Sequence, residues 1–334
     1  MKGWKLFVKK VPLIGPVLVF FHRAFLEYYP EHVFTYRLKP ILADWCIGIL
    51  RRFFHFDSLL LKKDCCVVES GSVRFIWNYC DARSLLGFPL QGSFEPIETA
   101  LVTALVKTGR VRVAVDVGGN FGWFSCHLLQ LLPQGAQLHV FEPEPMTFLE
   151  LEKNLDLNVG AERVTLKVNR ACLSDKSEKV DLYVPRKLGP AYASIQKQYY
   201  SGEYDKFETE ATTLLAYCEK EQIAHIDFIK IDVEGAELKV LTGGEALFSG
   251  TDKPVVMIEA APKTASAFGH GVDDVIRFFT SRGYVGFVFV GERGLIRLTP
   301  DSLEHGYNFL FIGQQDQSTK DLVEAWVIDE TGRN

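Results

Sequence analysis

The sequence predicts an α/β protein built on a mostly parallel sheet with helices on both faces. Two observations carry this. From about residue 95, strand-like apolar runs alternate with helix-like ones, which is the signature of such a sheet. And the first of those strands runs straight into "VAVDVGGNFGWFS" (113–125), a buried strand, a sharp glycine turn and the start of a helix. Ligands of such sheets sit at the carboxyl ends of the strands.

Taken in order, "EPIETALVTALVK" (95–107) reads as a helix and "VRVAVDV" (111–117) as a strand. "FGWFSCHLLQLL" is helical, "AQLHVFE" (136–142) a strand, and "PMTFLELEKNLDLN" (145–158) has apolar residues at helical spacing. "RVTLKV" (163–168) and "HIDFIKIDV" (225–233) are strands, and "GAELKVLTGG" a helix. "PVVMIEA" (254–260) is a strand, "VDDVIRFFTSRG" a helix, and "YVGFVFV" and "GYNFLFIG" close the pattern as strands. The stretch 181–222, rich in Tyr, Lys and Gly, breaks the rhythm. It reads as a long irregular insertion, of the kind that serves as a substrate-side loop or flap.

The 334 residues fit one large domain or one domain with an extension. The whole chain carries a net charge of -5, so nothing overall points to nucleic acid. The charge is uneven: up to Lys63 there are eleven basic and four acidic residues, a basic head suited to an anionic contact. "VPLIGPVLVFF" (11–21) is too short to span a bilayer and lacks a small-residue cleavage site after it. "LADWCIGILRRFFHF" (42–56) mixes aromatic and basic residues, which suits a helical pair packed on the protein or a membrane surface. Residues 1–93 therefore read as a mainly helical, basic and aromatic extension, with peripheral membrane contact through residues 1–60 as an expectation. Seven cysteines without a C-x-x-C pair fit neither a zinc site nor a disulfide framework. They imply reduced thiols and a cytoplasmic setting, at the inner face of the membrane if the head binds one.

The turn is D-x-G-x-N-x-G, at Asp116, Gly118, Asn120 and Gly122, with Gly119 between. It lacks the lysine of a phosphate-binding P-loop and the third glycine of the dinucleotide fingerprint. Glycines let a backbone approach a ligand or take positive φ, Asn tolerates the left-handed region, and the helix behind offers free N–H groups. Asp116 is placed to accept from an amino group. Glu142, ending the next strand in "HVFEPEP", is where a carboxylate reads ribose hydroxyls. Together they describe a pocket for an adenosine with a charged tail.

At this point "VDVGGNFGWFS", "VFEPEP", "ACLSD" and above all "DFIKIDVEGAELKVLTGG" resemble the FkbM-type S-adenosylmethionine-dependent methyltransferases, over about Phe94 to Gly313. The resemblance implies a doubly wound, Rossmann-like class I methyltransferase sheet of seven strands, a domain over 94–315 and a C-terminal tail over 316–334. It implies S-adenosylmethionine as cofactor and O-methylation of a hydroxyl on a glycan, glycolipid or polyketide-like acceptor. Carried onto this chain, it puts Asp116, Gly118, Gly119, Asn120 and Gly122 on the methionine side, Glu142 on the ribose, and Ser174 and Asp175 beside the adenine. Asp232 faces the sulfonium and the acceptor, and "FEPIE" (94–98) closes over the cofactor. Thr213-Leu214-Leu215 departs from the family's Leu-Asp pair, and the family does not account for the basic head, for which a lipid-linked acceptor is an expectation.

Methyl transfer needs alignment and, for a hydroxyl, a base. Lys230, Asp232 and Glu234 alternate along a strand pattern and so are expected to point one way. Ionisable groups there are costly unless paired or solvated; a buried ion pair of Lys230 with one carboxylate is the competing reading. Glu259, ending "VVMIE", is expected beside Asp232, and two close carboxylates raise one pKa and favour a base. The same pair is also a donor set for a divalent cation; base chemistry by Asp232 or Glu234 is the reading taken, and no metal ligand is assigned. Ser194 with Tyr192, and His270, are candidate acceptor contacts, while His139 reads as packed and His225 as the exposed start of a strand. The rivals are an NAD-type oxidoreductase and a non-catalytic module that keeps the fold.

Overall fold

The computed structural model describes residues 65–78, 94–158, 163–198, 202–291 and 293–328. The chain divides into two compact units, Met1–Phe94 and Glu95–Asn334. In the first, β1 (Cys65–Ser70) and β2 (Val73–Asn78) form an antiparallel hairpin closed by Gly71 and Ser72, with Gly71 at φ 62°. A positive φ at the first turn position suits the right-handed twist of a two-residue hairpin. The extension read as mainly helical thus contains a hairpin in its described part. The apolar run 11–21, the segment 42–56 and the membrane contact through 1–60 lie outside the described residues.

In the second unit the order is α1 (Pro96–Lys107), β3 (Val113–Val117), α2 (Trp123–Leu131), β4 (Ala136–Phe141), α3 (Pro145–Asn158), β5 (Val164–Asn169), β6 (Cys172–Leu173) and β7 (Glu178–Pro185). Then follow β8 (Tyr204–Thr212), α4 (Leu214–Glu221), β9 (Phe228–Ile231), α5 (Glu237–Gly243), α6 (Glu245–Ser249), β10 (Val255–Glu259) and α7 (Pro262–Ala267). The unit ends with α8 (Val272–Thr280), β11 (Tyr284–Phe289), β12 (Leu295–Arg297), β13 (Asn308–Gly313) and α9 (Gln317–Glu324). Among the described residues, eight strands make one sheet in the order β12-β11-β13-β10-β9-β3-β4-β5. The five from β10 to β5 are parallel, and β13, β11 and β12 are antiparallel additions. This is the doubly wound sheet of seven strands that the resemblance implies, with the short β12 added outside it.

The apolar strands earn their burial: every residue of β9 and all but the last of β10 are buried, as strands covered on both faces require. On α8, Val275, Phe278 and Phe279 are buried at i, i+3 and i+4, and Phe279 stacks on Phe311 of β13 with centroids 4.1 Å apart. The strand order reverses between β3 and β9. That switch point opens a crevice at their carboxyl ends, where Asp116 and Asp232 lie.

Two expectations are corrected. The stretch 181–222 is not irregular: β7 and β8 pair antiparallel from Glu178↔Ala211 to Pro185↔Tyr204, β6 adds to β8, and α4 follows with Thr213 as its N-cap, accepting from the Ala216 N–H at 3.0 Å. The strand signal was hidden because its outer face is charged. Lys179–Glu208 and Lys206–Asp181 pair across the strands, so only one face carries apolar residues such as Leu182 and Val184. Nor is 316–334 a tail in its described part, since α9 lies there, Val327 bridges to Leu295 and Ile328 joins the core. No helix among the described residues is long and apolar enough to cross a membrane.

Candidate active site

The glycine turn is left-handed at three positions, Gly118 (φ 82°), Asn120 (φ 49°) and Gly122 (φ 96°). The Gly118 and Gly119 N–H groups both donate to the Phe141 carbonyl at 2.9 Å, pinning the turn to the end of β4. The space the glycines leave is filled by the protein itself. A Cβ at Gly118 would stand 1.8 Å from the Asp232 carbonyl oxygen, and one at Gly119 or Gly122 would meet Val140 or Leu151. Gly118 therefore lets the turn lie directly against the end of β9, which brings Asp116 and Asp232 to one place, while Gly119 and Gly122 let it pack on β4 and α3. Asp116 is fully buried; Oδ2 accepts from the Ser125 hydroxyl, while Oδ1 has no partner among the described residues. Burial holds its carboxyl above the usual aspartate range.

Glu142 is the other anchor. Its Oε2 accepts from the Asn120 N–H and its Oε1 from the Glu144 N–H, each at 2.9 Å. One carboxylate thus fixes both the turn and the start of α3, and each oxygen keeps a lone pair for a further donor. Burial pushes its pKa up to about 7, against the pull of those two N–H groups. Ser174 and Asp175 follow β6. The Ser174 hydroxyl donates to Asp175, whose carboxylate also takes Lys239 Nζ at 2.9 Å. Burial is the largest single influence and raises the Asp175 carboxyl, but the hydrogen bonds from Lys239 and Ser174 and the Lys239 charge together outweigh it and hold it low.

At the carboxyl ends of β9 and β10, Lys230 Nζ lies 2.9 Å from Asp232 Oδ2 and 5.0 Å from the centre of the Phe124 ring. Burial works against the lysine's charge, yet Asp232, Glu95 and Asp116 outweigh it and hold its pKa above the ordinary value. Ile258 pairs with Ile231, so Glu259 stands beside Asp232 across a strand spacing of about 4.8 Å. Asp232, then burial, drives the Glu259 carboxyl well up. Strand alternation accounts only for Lys230 and Asp232. β9 ends at Ile231, and Glu234 sits in a left-handed turn (φ 52°) with Gly235 (φ 102°). Burial, with Asp232 and Glu237 nearby, takes Glu234 up to about 8.

That turn explains two other residues. Ser194 Oγ donates to the Glu234 carbonyl at 2.9 Å, and His270 Nε2 is 3.1 Å from the Gly235 carbonyl. Both are candidate acceptor contacts from the sequence; in the structure their side chains engage this backbone. His139 is packed in β4, its Nδ1 2.9 Å from the Tyr217 hydroxyl, and His225 pairs with Asp227 at 2.9 Å. One residue was missed. Glu95, the left-handed residue (φ 45°) before α1, is brought next to Lys230 and Asp232, and burial takes its pKa to about 7. Its only signal in the sequence is its place in "FEPIE". Among the described residues no three His, Cys, Asp or Glu side chains form a group that could hold a metal ion.

These carboxylates make stability depend on pH. Glu95, Glu142, Glu237 and Glu234 have folded values of about 7 to 8 against an ordinary 4.5. The folded state therefore binds more protons than the unfolded state between those limits, and stability falls as pH rises through them. The melting temperature of the ligand-free protein is expected to fall steadily from pH 6 to pH 9, and less steeply in Glu234→Gln. A flat or rising profile by scanning calorimetry would contradict the burial of these groups.

Residues 116–285 match the profile described as the methyltransferase FkbM domain. The chain belongs to the FkbM methyltransferase family. The match begins at Asp116 and takes in Glu142, Asp232, Glu234 and Glu259. Similar curated proteins include the 2-O-methyltransferase NoeI of Sinorhizobium fredii, 30% identical over 151 residues, which are 42% of this chain and 60% of that one. The methyltransferase sdnD of Sordaria araneosa is 28% identical over 157 residues, covering 39% and 59%. The chain thus spans about 60% of the length of these relatives. Among solved structures, the O-methyltransferase TomG of Streptomyces achromogenes, in complex with S-adenosylmethionine, aligns over 66% of this chain and 80% of its own, at 16% identity and a TM-score of 0.40. FkbM methyltransferases use S-adenosylmethionine, and it is the cofactor of this family member. The residues present fit it: a buried carboxylate oxygen without a donor on Asp116, and a fixed carboxylate on Glu142 with lone pairs to spare.

Proposed function

We propose that the protein transfers a methyl group to a hydroxyl of a small-molecule or glycan acceptor. The observation that carries this reading is the Lys230–Asp232 ion pair flanked by the Glu259 and Glu234 carboxyls at the switch point of the sheet. The cofactor supplies an activated methyl on a positively charged sulfur. Asp116, through Oδ1, takes its ammonium; Glu142 takes the ribose hydroxyls; Asn120 and the glycines hold both carboxylates in register. Ser174 and Asp175 lie on the adenine side.

On the acceptor side, Asp232 keeps one oxygen on Lys230 and uses the other as the base for the hydroxyl proton. Lys230 stays charged and holds Asp232 Oδ2 in place at 2.9 Å. Glu259 and Glu234, held protonated near neutral pH by burial and by Asp232, orient the acceptor as donors. With the methyl donor held by Asp116 and Glu142, the chain's own part would be to align the acceptor oxygen and to take its proton on Asp232. The chain contributes alignment and a proton acceptor, the two requirements of an in-line displacement at a hydroxyl.

The name of the Sinorhizobium relative, a 2-O-methyltransferase, supports oxygen as the target and a sugar-like acceptor. The test is incubation with S-adenosylmethionine carrying a 13C-labelled methyl and a panel of oligosaccharides, hydroxylated polyketide-like compounds and amines. The expected result is an O-methyl carbon resonance on a hydroxylated acceptor. Labelled N-methyl product alone would overturn the oxygen reading while leaving the methyltransferase reading in place.

A further inference from the structure

The peptide between Glu234 and Gly235 is held almost entirely by side chains from elsewhere in the fold. The Glu234 carbonyl accepts from Ser194 Oγ at 2.9 Å and from Gln198 Nε2 at 2.6 Å, which uses both its lone pairs. The Gly235 N–H donates to Glu237 Oε1 at 2.8 Å, and the Gly235 carbonyl faces His270 Nε2 at 3.1 Å. Gln198 also donates to Ser194 Oγ at 3.0 Å, so the two side chains form one unit. Both are buried, at 7% and 2% exposure. Glu234 in the left-handed region is a strained conformation that persists only where the surroundings over-determine it, whereas Gly235 takes its positive φ freely. Gly235 leaves no slack, since a Cβ there would lie 2.5 Å from the Thr264 carbonyl oxygen.

The unit is tied in turn to the β7–β8 arm. Ser194 and Tyr183 of β7 exchange both backbone hydrogen bonds, at 2.8 and 3.1 Å, and the Tyr204 hydroxyl donates to the Gln198 carbonyl at 3.2 Å. Lys197, between them in sequence, lies 5.6 Å from the Tyr183 ring centre and 5.9 Å from that of Tyr204. We propose that Gln198 and Ser194 are positioning residues, through which the β7–β8 arm fixes the Glu234–Gly235 peptide and so holds the Glu234 carboxyl in the reaction centre. This rests on the reading that Glu234 belongs to that centre. Asp232, Glu237, Glu259 and His270 complete the titratable surroundings of the turn. Without the two donors the Glu234 carbonyl must find water, the strained Glu234 backbone relaxes, and the carboxyl leaves its buried place.

The test is a 13C NMR titration of the full chain labelled at the glutamate carboxyl carbons, with Glu234 assigned as the resonance lost in Glu234→Gln. Glu234 is expected to titrate near 8 in the wild type. In Gln198→Leu and in Ser194→Ala it is expected to move down by about one pH unit or more as burial is relieved. Ser194→Thr, which keeps the hydroxyl, is expected to restore the wild-type value. S-adenosylhomocysteine affinity is expected to stay within about twofold, because distant, independent sites do not couple. A role in stability alone would lower the melting temperature and leave the Glu234 titration in place; that result, or an equal shift in Ser194→Thr, overturns the proposal. If Gln198→Leu does not fold, the Ser194→Ala and Ser194→Thr pair decides by itself. Methyl transfer by Glu234→Gln is a separate arm: full activity there removes Glu234 from the chemistry without touching the positioning result.

Discussion

Asp232→Asn is expected to lower methyl transfer by about a thousandfold, within the range assigned to a positioned general base, while leaving S-adenosylhomocysteine binding nearly intact. The substitution keeps the size of the side chain and an oxygen for Lys230 Nζ, which sits 2.9 Å from Oδ2. What it removes is a proton acceptor. The buried lysine keeps the Glu95 and Asp116 carboxylates as neighbours, so the loss of stability is expected to be small, about 1 kcal/mol. Glu259 supplies the internal control. Its carboxyl is raised chiefly by the Asp232 charge, so in Asp232→Asn it should titrate closer to the ordinary glutamate range. Steady-state transfer to the best acceptor of the panel, with calorimetry of S-adenosylhomocysteine, measures both halves. Wild-type turnover in Asp232→Asn would move the base elsewhere in the cluster.

Gly118→Ala is expected to cost more than any change of a side chain in the pocket. Gly118 and Gly269 both have positive φ, at 82° and 77°, and alanine at either meets a left-handed penalty of about 1–2 kcal/mol. They differ in space. At Gly269 a Cβ meets nothing within 4 Å, whereas at Gly118 it would stand 1.8 Å from the Asp232 carbonyl oxygen. That contact cannot be absorbed by a flexible side chain, because a Cβ is fixed to its own backbone and the atom it meets is backbone. The Asp232 N–H donates to the Val117 carbonyl at 2.9 Å, so any retreat of β9 pulls on β3 as well. Gly269→Ala should lower the melting temperature by about 3 °C, and Gly118→Ala by about 10 °C or more, with loss of cofactor binding. Equal shifts in the two variants would mean that the turn is not pressed against β9.

The same glycine shows where the sequence was legible and where it was not. Positive φ at Gly118, Asn120 and Gly122 was readable, because few residue types tolerate it. What Gly118 makes room for was not: it admits the end of β9, a contact between residues more than a hundred apart. The alternation of Lys230 and Asp232 was readable from strand period. Glu234 fell outside that rule because a left-handed glutamate leaves no mark in an apolar pattern. Glu95 was hidden for the same reason. The β7–β8 arm was missed because its outward face is a ladder of ion pairs and its apolar face is short. Gln198 and Ser194 act on a backbone carbonyl, and a hydrogen bond from side chain to distant backbone has no periodicity to betray it.

The central claim is that the Asp116 turn and Glu142 hold the methyl donor, and titration calorimetry tests it most directly. The purified chain is titrated with S-adenosylmethionine, S-adenosylhomocysteine and NAD, alongside Glu142→Ala. The account predicts micromolar binding of the first two, about −8 kcal/mol, no heat with NAD, and loss of binding in Glu142→Ala, where the Asn120 and Glu144 N–H groups lose their shared acceptor. Unchanged S-adenosylmethionine affinity in a folded Glu142→Ala would contradict it, because the donor would then be held somewhere else.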